Sequence, residues 1–294
     1  LGGAFEAIEE MKGRLVRSHT ERMRRIEAGD QMVIGVNGFT ETEASPLGGD
    51  DNILKVDPAV QEQAIEELTA WRSERDQHAV DAALAELTRV ARTDENIMTP
   101  TIALAHAGGT TGEWAAALRE VFGEYRAPTG VAGARAVVAT DVFAPARAKV
   151  EAATATLGRR LKMLVGKPGL DGHSNGAEQI AVAARDSGIE VVYEGIRLTP
   201  ARIANAALEE GVHIVGLSIL SGSHMPLVKE VLRRMRELGI GEIPVVVGGI
   251  IPPDDEQKLL AAGVARVYTP KDYEIQDIMS DLVGIAAAGY ERAA

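Results

Sequence analysis

The second half of the chain predicts an α/β domain built on a doubly wound, five-stranded parallel sheet, with a mainly helical region ahead of it. Two observations carry that prediction. From Leu161 onward, apolar β-type runs alternate five times with helical stretches at regular intervals. The runs are apolar throughout instead of alternating, as in strands covered by helices on both faces. A third observation says where to look for function: in such sheets ligands bind beyond the carboxyl ends of the strands, and three of the loops there are rich in Gly and Ser.

Residues 4–28 read as one amphipathic helix, with Phe5, Ile8, Met11, Leu15, Met23 and Ile26 near a 3.6-residue period. Gly29 is its C-terminal cap. Met32–Val36 is a short β-like run. Thr40–Asp51, polar and Gly-rich with Pro46, is an extended linker. Asp57 and Pro58 open the next helix as N-cap and first helical residue, and it runs to about Ser73. A helix over 76–92 carries Val80, Leu84, Leu87 and Val90 as its apolar stripe. Two shorter helices cover 97–107 and 112–124, the latter capped by Thr110 or Thr111. Residues 127–158 form an Ala-, Gly- and Thr-rich linker, helical over about 145–157. The strands are then 161–166, 190–193, 213–217, 244–247 and 266–268. The helices between and after them lie at about 176–187, 200–210, 225–238, 254–262 and 273–287. Five such units make a flavodoxin-like domain.

Composition narrows the function. The 294 residues carry 31 Lys+Arg against 43 Asp+Glu, a formal net charge of −12. That excess repels phosphate backbones, and no local basic patch offsets it, so no nucleic-acid partner is expected. The absence of cysteine excludes disulfides, thiolate metal sites and Cys nucleophiles, and fits the reducing cytoplasm. No apolar run reaches the length of a membrane span, so no membrane partner is expected. The N-terminus has neither a signal peptide's pattern nor an initiator Met, so the chain reads as a processed product or part of something larger.

The chemistry concentrates in the loop after the first strand of the sheet, Lys167-Pro168-Gly169-Leu170-Asp171-Gly172-His173-Ser174-Asn175-Gly176. A His two residues beyond an Asp can donate one ring N–H to the carboxylate. The tautomer is then fixed and the other nitrogen becomes a better metal ligand. Lys167 would hold that Asp ionised. Gly169, Gly172 and Gly176 let something bulky approach the backbone. The third strand ends in Leu217-Ser218-Ile219-Leu220-Ser221-Gly222-Ser223-His224, and the fourth in Gly248-Gly249-Ile250-Ile251-Pro252-Pro253. The three loops converge on one sheet edge, where small residues leave a slot beside the His. Each feature has a plainer reading too: a solvated loop His, and an ordinary Gly-Gly turn.

The DGHxxG, SxL and GG motifs with their spacing resemble the cobalamin-binding domain of the adenosylcobalamin-dependent mutases, over residues 161 to about 285. The resemblance implies His173 as axial cobalt ligand in place of dimethylbenzimidazole, with the cofactor base-off and His-on. It makes Asp171 and Lys167 the relay behind His173 and Ser218 a partner of the benzimidazole nitrogen. Gly172, Ser174, Gly176, Ile180, Leu220, Gly222, Gly248, Gly249, Tyr268 and Thr269 complete the cofactor-binding set. Upstream, ILKVDP at 53–58 and EVFGEYRAPTGV at 120–131 resemble the region joining the mutase barrel to that domain. The resemblance therefore divides the chain into a remnant of a (β/α)8 barrel (1–45), a helical connecting belt (46–126), a linker (127–160) and the cobalamin domain (161–294). GKPGLDGHSNGAEQIA and YEGIRLTP look most like the ethylmalonyl-CoA branch of the family.

The function this implies is the cobalamin-binding part of a carbon-skeleton mutase that converts ethylmalonyl-CoA to methylsuccinyl-CoA. The catalytic barrel and its acyl-CoA site would come from the same or another chain. A homodimer and a G-protein chaperone are implied partners. A methylmalonyl-CoA mutase stays open, as do a corrinoid methyl carrier, a cobalamin light sensor and a flavin- or nucleotide-binding domain. No catalytic residue is expected in this chain. His19, His78, His106, His213 and His224 inherit no role; His213 reads as a core histidine and His224 as the start of a helix. Glu62, Glu66, Glu67 and Glu74 read as a solvated helix face.

Overall fold

The computed structural model describes residues 2–40, 57–124, 129, 143–272 and 274–293. The chain forms two compact units, one of residues 1–42 with 127–294, the other of residues 43–126. Residues 41–51 of the expected linker over 40–51 lie outside the described residues, as do 127, 128 and 130–142 of that over 127–158 and parts of the two joining motifs.

Helix α1, Ile8–Glu27, ends with Gly29 at a φ of 76°, where a side chain would be strained. The β-like run Met32–Val36 is not a strand. It folds into a turn with one bridge, Ile34 to Gly38. The Asn37 side chain sets that turn: its amide group donates to the Ile26 and Gln31 carbonyls and its oxygen accepts from Val33 N–H at 2.7 Å.

The second unit holds α2, Pro58–Glu74; α3, Gln77–Ala91; α4, Met98–His106; and α5, Thr111–Phe122. Asp57, Asp76 and Thr110 cap three of these through their side chains, and Thr110 with Glu113 closes a capping box. Val80, Leu87, Leu104 and Ala117 make the core, with Leu84 beside them. Arg75 hydrogen-bonds Glu113 and holds its carboxyl well below the usual carboxylate range. Glu62, Glu66, Glu67 and Glu74 are exposed.

In the first unit, α6, Ala144–Leu157, leads into the sheet. Its strands are β1, Lys162–Gly166; β2, Glu190–Tyr193; β3, Ile214–Ile219; β4, Val245–Gly249; and β5, Arg266–Tyr268. They are all parallel, in the order β2-β1-β3-β4-β5, the doubly wound order expected. The crossing helices are α7, Asn175–Asp186; α8, Pro200–Glu210; α9, His224–Glu237; and α10, Pro253–Ala261, with α11, Ile275–Ala293, last. Successive strand residues feed opposite cores. Met163 and Val165 pack with α6, α7 and α11, whereas Leu164 packs with α8 and α9. β3 and β4 run two residues further than their apolar runs. Ser218 pairs with Gly248 and Ile219 with Gly249, so these residues lie in the ladder and not in loops. No helix among the described residues is long and apolar enough to cross a membrane.

Candidate functional site

The chain order reverses between β1 and β3, the switch point where doubly wound sheets open a crevice. Lys167 leaves β1 there and is fully buried; Asp171 is 7 % exposed. The Lys167 ammonium donates to Asp171 Oδ2 at 2.8 Å and to the Ser218 carbonyl at 3.2 Å. Asp171 Oδ2 also accepts from Leu220 N–H at 2.8 Å, and Oδ1 accepts from His173 N–H at 3.0 Å. His173 Nδ1 lies 2.7 Å from the same Oδ1. One carboxylate therefore ties the ends of β1 and β3 to the His173 ring. Burial would raise its pKa. The bonds from Lys167, the two backbone N–H groups and His173 outweigh that and hold it well below the ordinary value of 3.8.

An ionised Asp171 at Nδ1 requires the N–H there, so Nε2 carries the lone pair. The His173 side chain is 76 % exposed, and Nε2 has no partner among the described residues. It is a presented acceptor nitrogen. At the same sheet edge Leu170 is 91 % exposed after β1 and Ile250 is exposed after β4. Gly169 takes a φ of 81° and packs on Leu227, with its N–H on the Leu198 carbonyl. Its role is to turn the loop.

Beside this edge a cavity of about 430 Å³ runs into the α7 and α11 side of the sheet, within the range of small-molecule sites. Gly176, Ile180, Ser218, Leu220, Gly248, Gly249, Tyr268 and Thr269 all line it. Lys167, Asp171, Gly172, His173, Ser174 and Gly222 do not; the first four form or flank the His arm, and Ser174 precedes α7 without a side-chain cap bond. The two adjacent glycines differ. A Cβ on Gly248 would meet nothing within 4 Å, whereas one on Gly249 would sit 1.8 Å from the Ile219 carbonyl oxygen. Gly248 keeps the slot open; Gly249 permits the close approach of β3 and β4. Tyr268 donates to Asp281 at 2.8 Å, and burial with that bond pushes its hydroxyl pKa up. Thr269 is fixed by Asp272, which accepts from its N–H at 2.8 Å.

Sequence reasoning missed the floor of the cavity, made by Met163, Val165, Gly216 and Val246. A Cβ on Gly216 would lie 2.5 Å from Met163 Cε, so the glycine makes room for that side chain. The signal was present: 216 and 218 share one face of β3 by strand alternation. It also missed the wall supplied by α1. His213 is buried, with Nδ1 accepting from Lys162 N–H at 3.0 Å, and burial lowers its pKa. His224 starts α9, buried, with Nε2 at 2.8 Å from Asp255. His19 meets Gln179.

Residues 1–124 match the methylmalonyl-CoA mutase family and residues 161–278 match the B12 binding domain. An ethylmalonyl-CoA mutase from Cereibacter sphaeroides is 57 % identical over 97 % of this chain and 44 % of its own length. One from Methylorubrum extorquens is 50 % identical over 100 % of this chain and 43 % of its own. A methylmalonyl-CoA mutase from Cereibacter sphaeroides is 36 % identical over 92 % and 38 %. The chain spans less than half the length of these relatives.

Proposed function

We propose that this chain, in which a methylmalonyl-CoA mutase segment precedes a B12 binding domain, is the cobalamin-binding portion of an adenosylcobalamin-dependent carbon-skeleton mutase. The observation that carries the reading is His173, its Nδ1 held by a buried, ion-paired Asp171 and its Nε2 presented beside an apolar slot. The residues fit the group. One nitrogen is presented, the slot is lined by apolar side chains such as Ile180 and Leu220, and Gly176 and Gly248 leave the space beside their backbones empty.

Adenosylcobalamin, when bound, supplies a cobalt–carbon bond that cleaves homolytically to start radical chemistry. This chain's part is to hold and orient it. His173 Nε2 would ligate cobalt in place of the cofactor's own base, whose nucleotide tail would then need another place. The slot would hold that tail, with Ser218 available to its base and Leu220, Tyr268 and Thr269 along its walls. Asp171 keeps the His173 tautomer fixed and enriches the donor nitrogen, and Lys167 keeps Asp171 ionised. Gly172, Ser174 and Gly222 shape the loops that face the corrin ring.

The higher identity to the two ethylmalonyl-CoA mutases supports ethylmalonyl-CoA, rearranged to methylsuccinyl-CoA, over methylmalonyl-CoA as the substrate. Acyl-CoA binding falls to a (β/α)8 barrel in the same or another chain. The full enzyme is a cytoplasmic homodimer served by a G-protein chaperone. The test is electron paramagnetic resonance of the Co(II) form bound to this chain. Splitting from a single protein nitrogen is expected, lost in His173→Ala. If His173→Ala keeps both the splitting and the affinity, the ligand is another group.

A further inference from the structure

One wall of the slot comes from outside the segment that matches the B12 binding domain. Arg22, Met23 and Ile26 of α1, with Val33 and Val36 of the turn after it, line the cavity. They are held there along α7 and α11. Lys12 pairs with the buried Glu178 at 2.9 Å, and Val16 packs on Val182. His19 Nε2 lies 2.9 Å from Gln179 Oε1, and Glu27 accepts from the Ile275 N–H at 2.6 Å.

Two donor groups that line the slot here, Arg22 on α1 and Gln179 on α7, are without partners. Gln179 Nε2 is buried and makes no hydrogen bond. A buried amide donor left unbonded is costly, so something is expected to accept from it. Arg22 makes no hydrogen bond or ion pair among the described residues, although Arg14 and Arg24 on the same helix are paired with Glu10 and Glu21. The rest of the wall is Met23, Ile26, Val33 and Val36. Two donors, one of them cationic, beside apolar side chains suit a ligand that joins a flat apolar ring to an anionic, oxygen-rich group.

We propose that Arg22 and Gln179 form a subsite for the phosphoribosyl part of cobalamin's nucleotide tail, an inference that rests on the cobalamin reading above. Met23 and Ile26 then cover the apolar base while Arg22 and Gln179 donate to phosphate and ribose oxygens. Helix α1, which lies in the mutase-matching segment, is thus part of the cofactor site. It discriminates a complete corrinoid from one lacking the nucleotide.

The experiment titrates the full chain with hydroxocobalamin and with cobinamide, which lacks the tail, by absorbance at low and high salt. Arg22→Gln is expected to weaken cobalamin binding about 5- to 10-fold at low salt and less at high salt, and to leave cobinamide unchanged. Gln179→Glu keeps the acceptor for His19 but turns a carboxylate toward the phosphate. It is expected to weaken cobalamin by more than about tenfold, again without effect on cobinamide. If neither variant changes cobalamin binding, or if both corrinoids weaken equally, the subsite is wrong and α1 is only a structural wall. Failure of the wild-type chain to bind either corrinoid would instead overturn the cobalamin reading itself.

Discussion

Replacing Asp171 by Asn should unfold the sheet-bearing unit more readily, and by more than removing Lys167 does. Lys167 is fully buried and its ammonium has two acceptors, Asp171 Oδ2 and the Ser218 carbonyl. Asn keeps the shape but removes the charge and turns an NH2 group toward groups that are themselves donors. The buried cation is left with neutral carbonyls and no counter-charge, and breaking a buried pair from one side costs about 3–5 kcal/mol. Lys167→Met leaves a carboxylate that still accepts from His173 N–H, His173 Nδ1 and Leu220 N–H, so the expected cost is lower, roughly 1–3 kcal/mol. The double variant has no unpaired buried charge. It should be more stable than Asp171→Asn alone, with a coupling of about 1–3 kcal/mol. The assay is urea denaturation of the full chain, followed by circular dichroism. Both tryptophans, Trp71 and Trp114, lie in the other unit, so their fluorescence is an internal control that should not move. The pH dependence has a fixed sign. Asp171's folded pKa is depressed, so its stabilisation is present above the ordinary value of 3.8 and is lost as pH falls below it. The wild-type and Asn curves should converge there. An Asp171→Asn variant within about 1 kcal/mol of wild type at pH 7, or strictly additive costs, would refute the reasoning.

Two further outcomes are expected. Gly248→Leu should fold normally and lose roughly tenfold or more in cobalamin affinity, because its side chain enters open slot space. Gly249→Ala should instead lower the melting temperature of the unbound protein, since its Cβ meets the Ile219 carbonyl oxygen. Paired thermal melts and titrations separate them, and matching behaviour of the two variants would contradict the assignment. Glu27→Gln should be no less stable than wild type at pH 7. Burial raises the Glu27 pKa above 4.5, and Glu274 and Asp277 add to it against the bond from Ile275 N–H. The folded state holds this proton to higher pH, so ionising it costs stability as pH rises through 4.5. Gln still accepts from Ile275, so any gain should vanish below about pH 4.5; melts across pH 4–8 that show a loss at pH 7 would contradict this.

The central strands β1, β3 and β4 could be read because each is a largely apolar run buried on both faces, whereas the edge strands β2 and β5 are shorter and begin with exposed Glu190 and Arg266. The ends of β3 and β4 could not, because Ser218, Gly248 and Gly249 pair in the ladder through backbone alone and have no side chains that favour a strand. Met32–Val36 misled for the opposite reason: its β-branched residues suit a strand, but Asn37 supplies the hydrogen bonds of a turn. The Asp171–His173 pair was legible because it is local. The third bond to Asp171, from Leu220 N–H, joins residues 49 apart in sequence, and no local pattern contains it. The stripe of α1 showed that it buries a face but carried no sign that the face closes the slot.

The two halves of the site make opposite demands on the sequence. The His arm is over-determined, with four hydrogen bonds on one buried carboxylate, so the His173 ring has little freedom to move. The slot is defined by what is missing, a Cβ at Gly248 and at Gly176, and an open apolar space costs an unbound protein packing energy. Such space persists because something else holds its walls apart. On one side this is the β3–β4 ladder that Gly249 allows. On the other it is α1, fastened by Lys12, His19 and Glu27 at points along α7 and α11. Rigidity at His173 and emptiness beside it are thus separate achievements of the chain. Asp171→Asn attacks the first and Gly248→Leu the second, so stability and affinity should respond to them in different proportions.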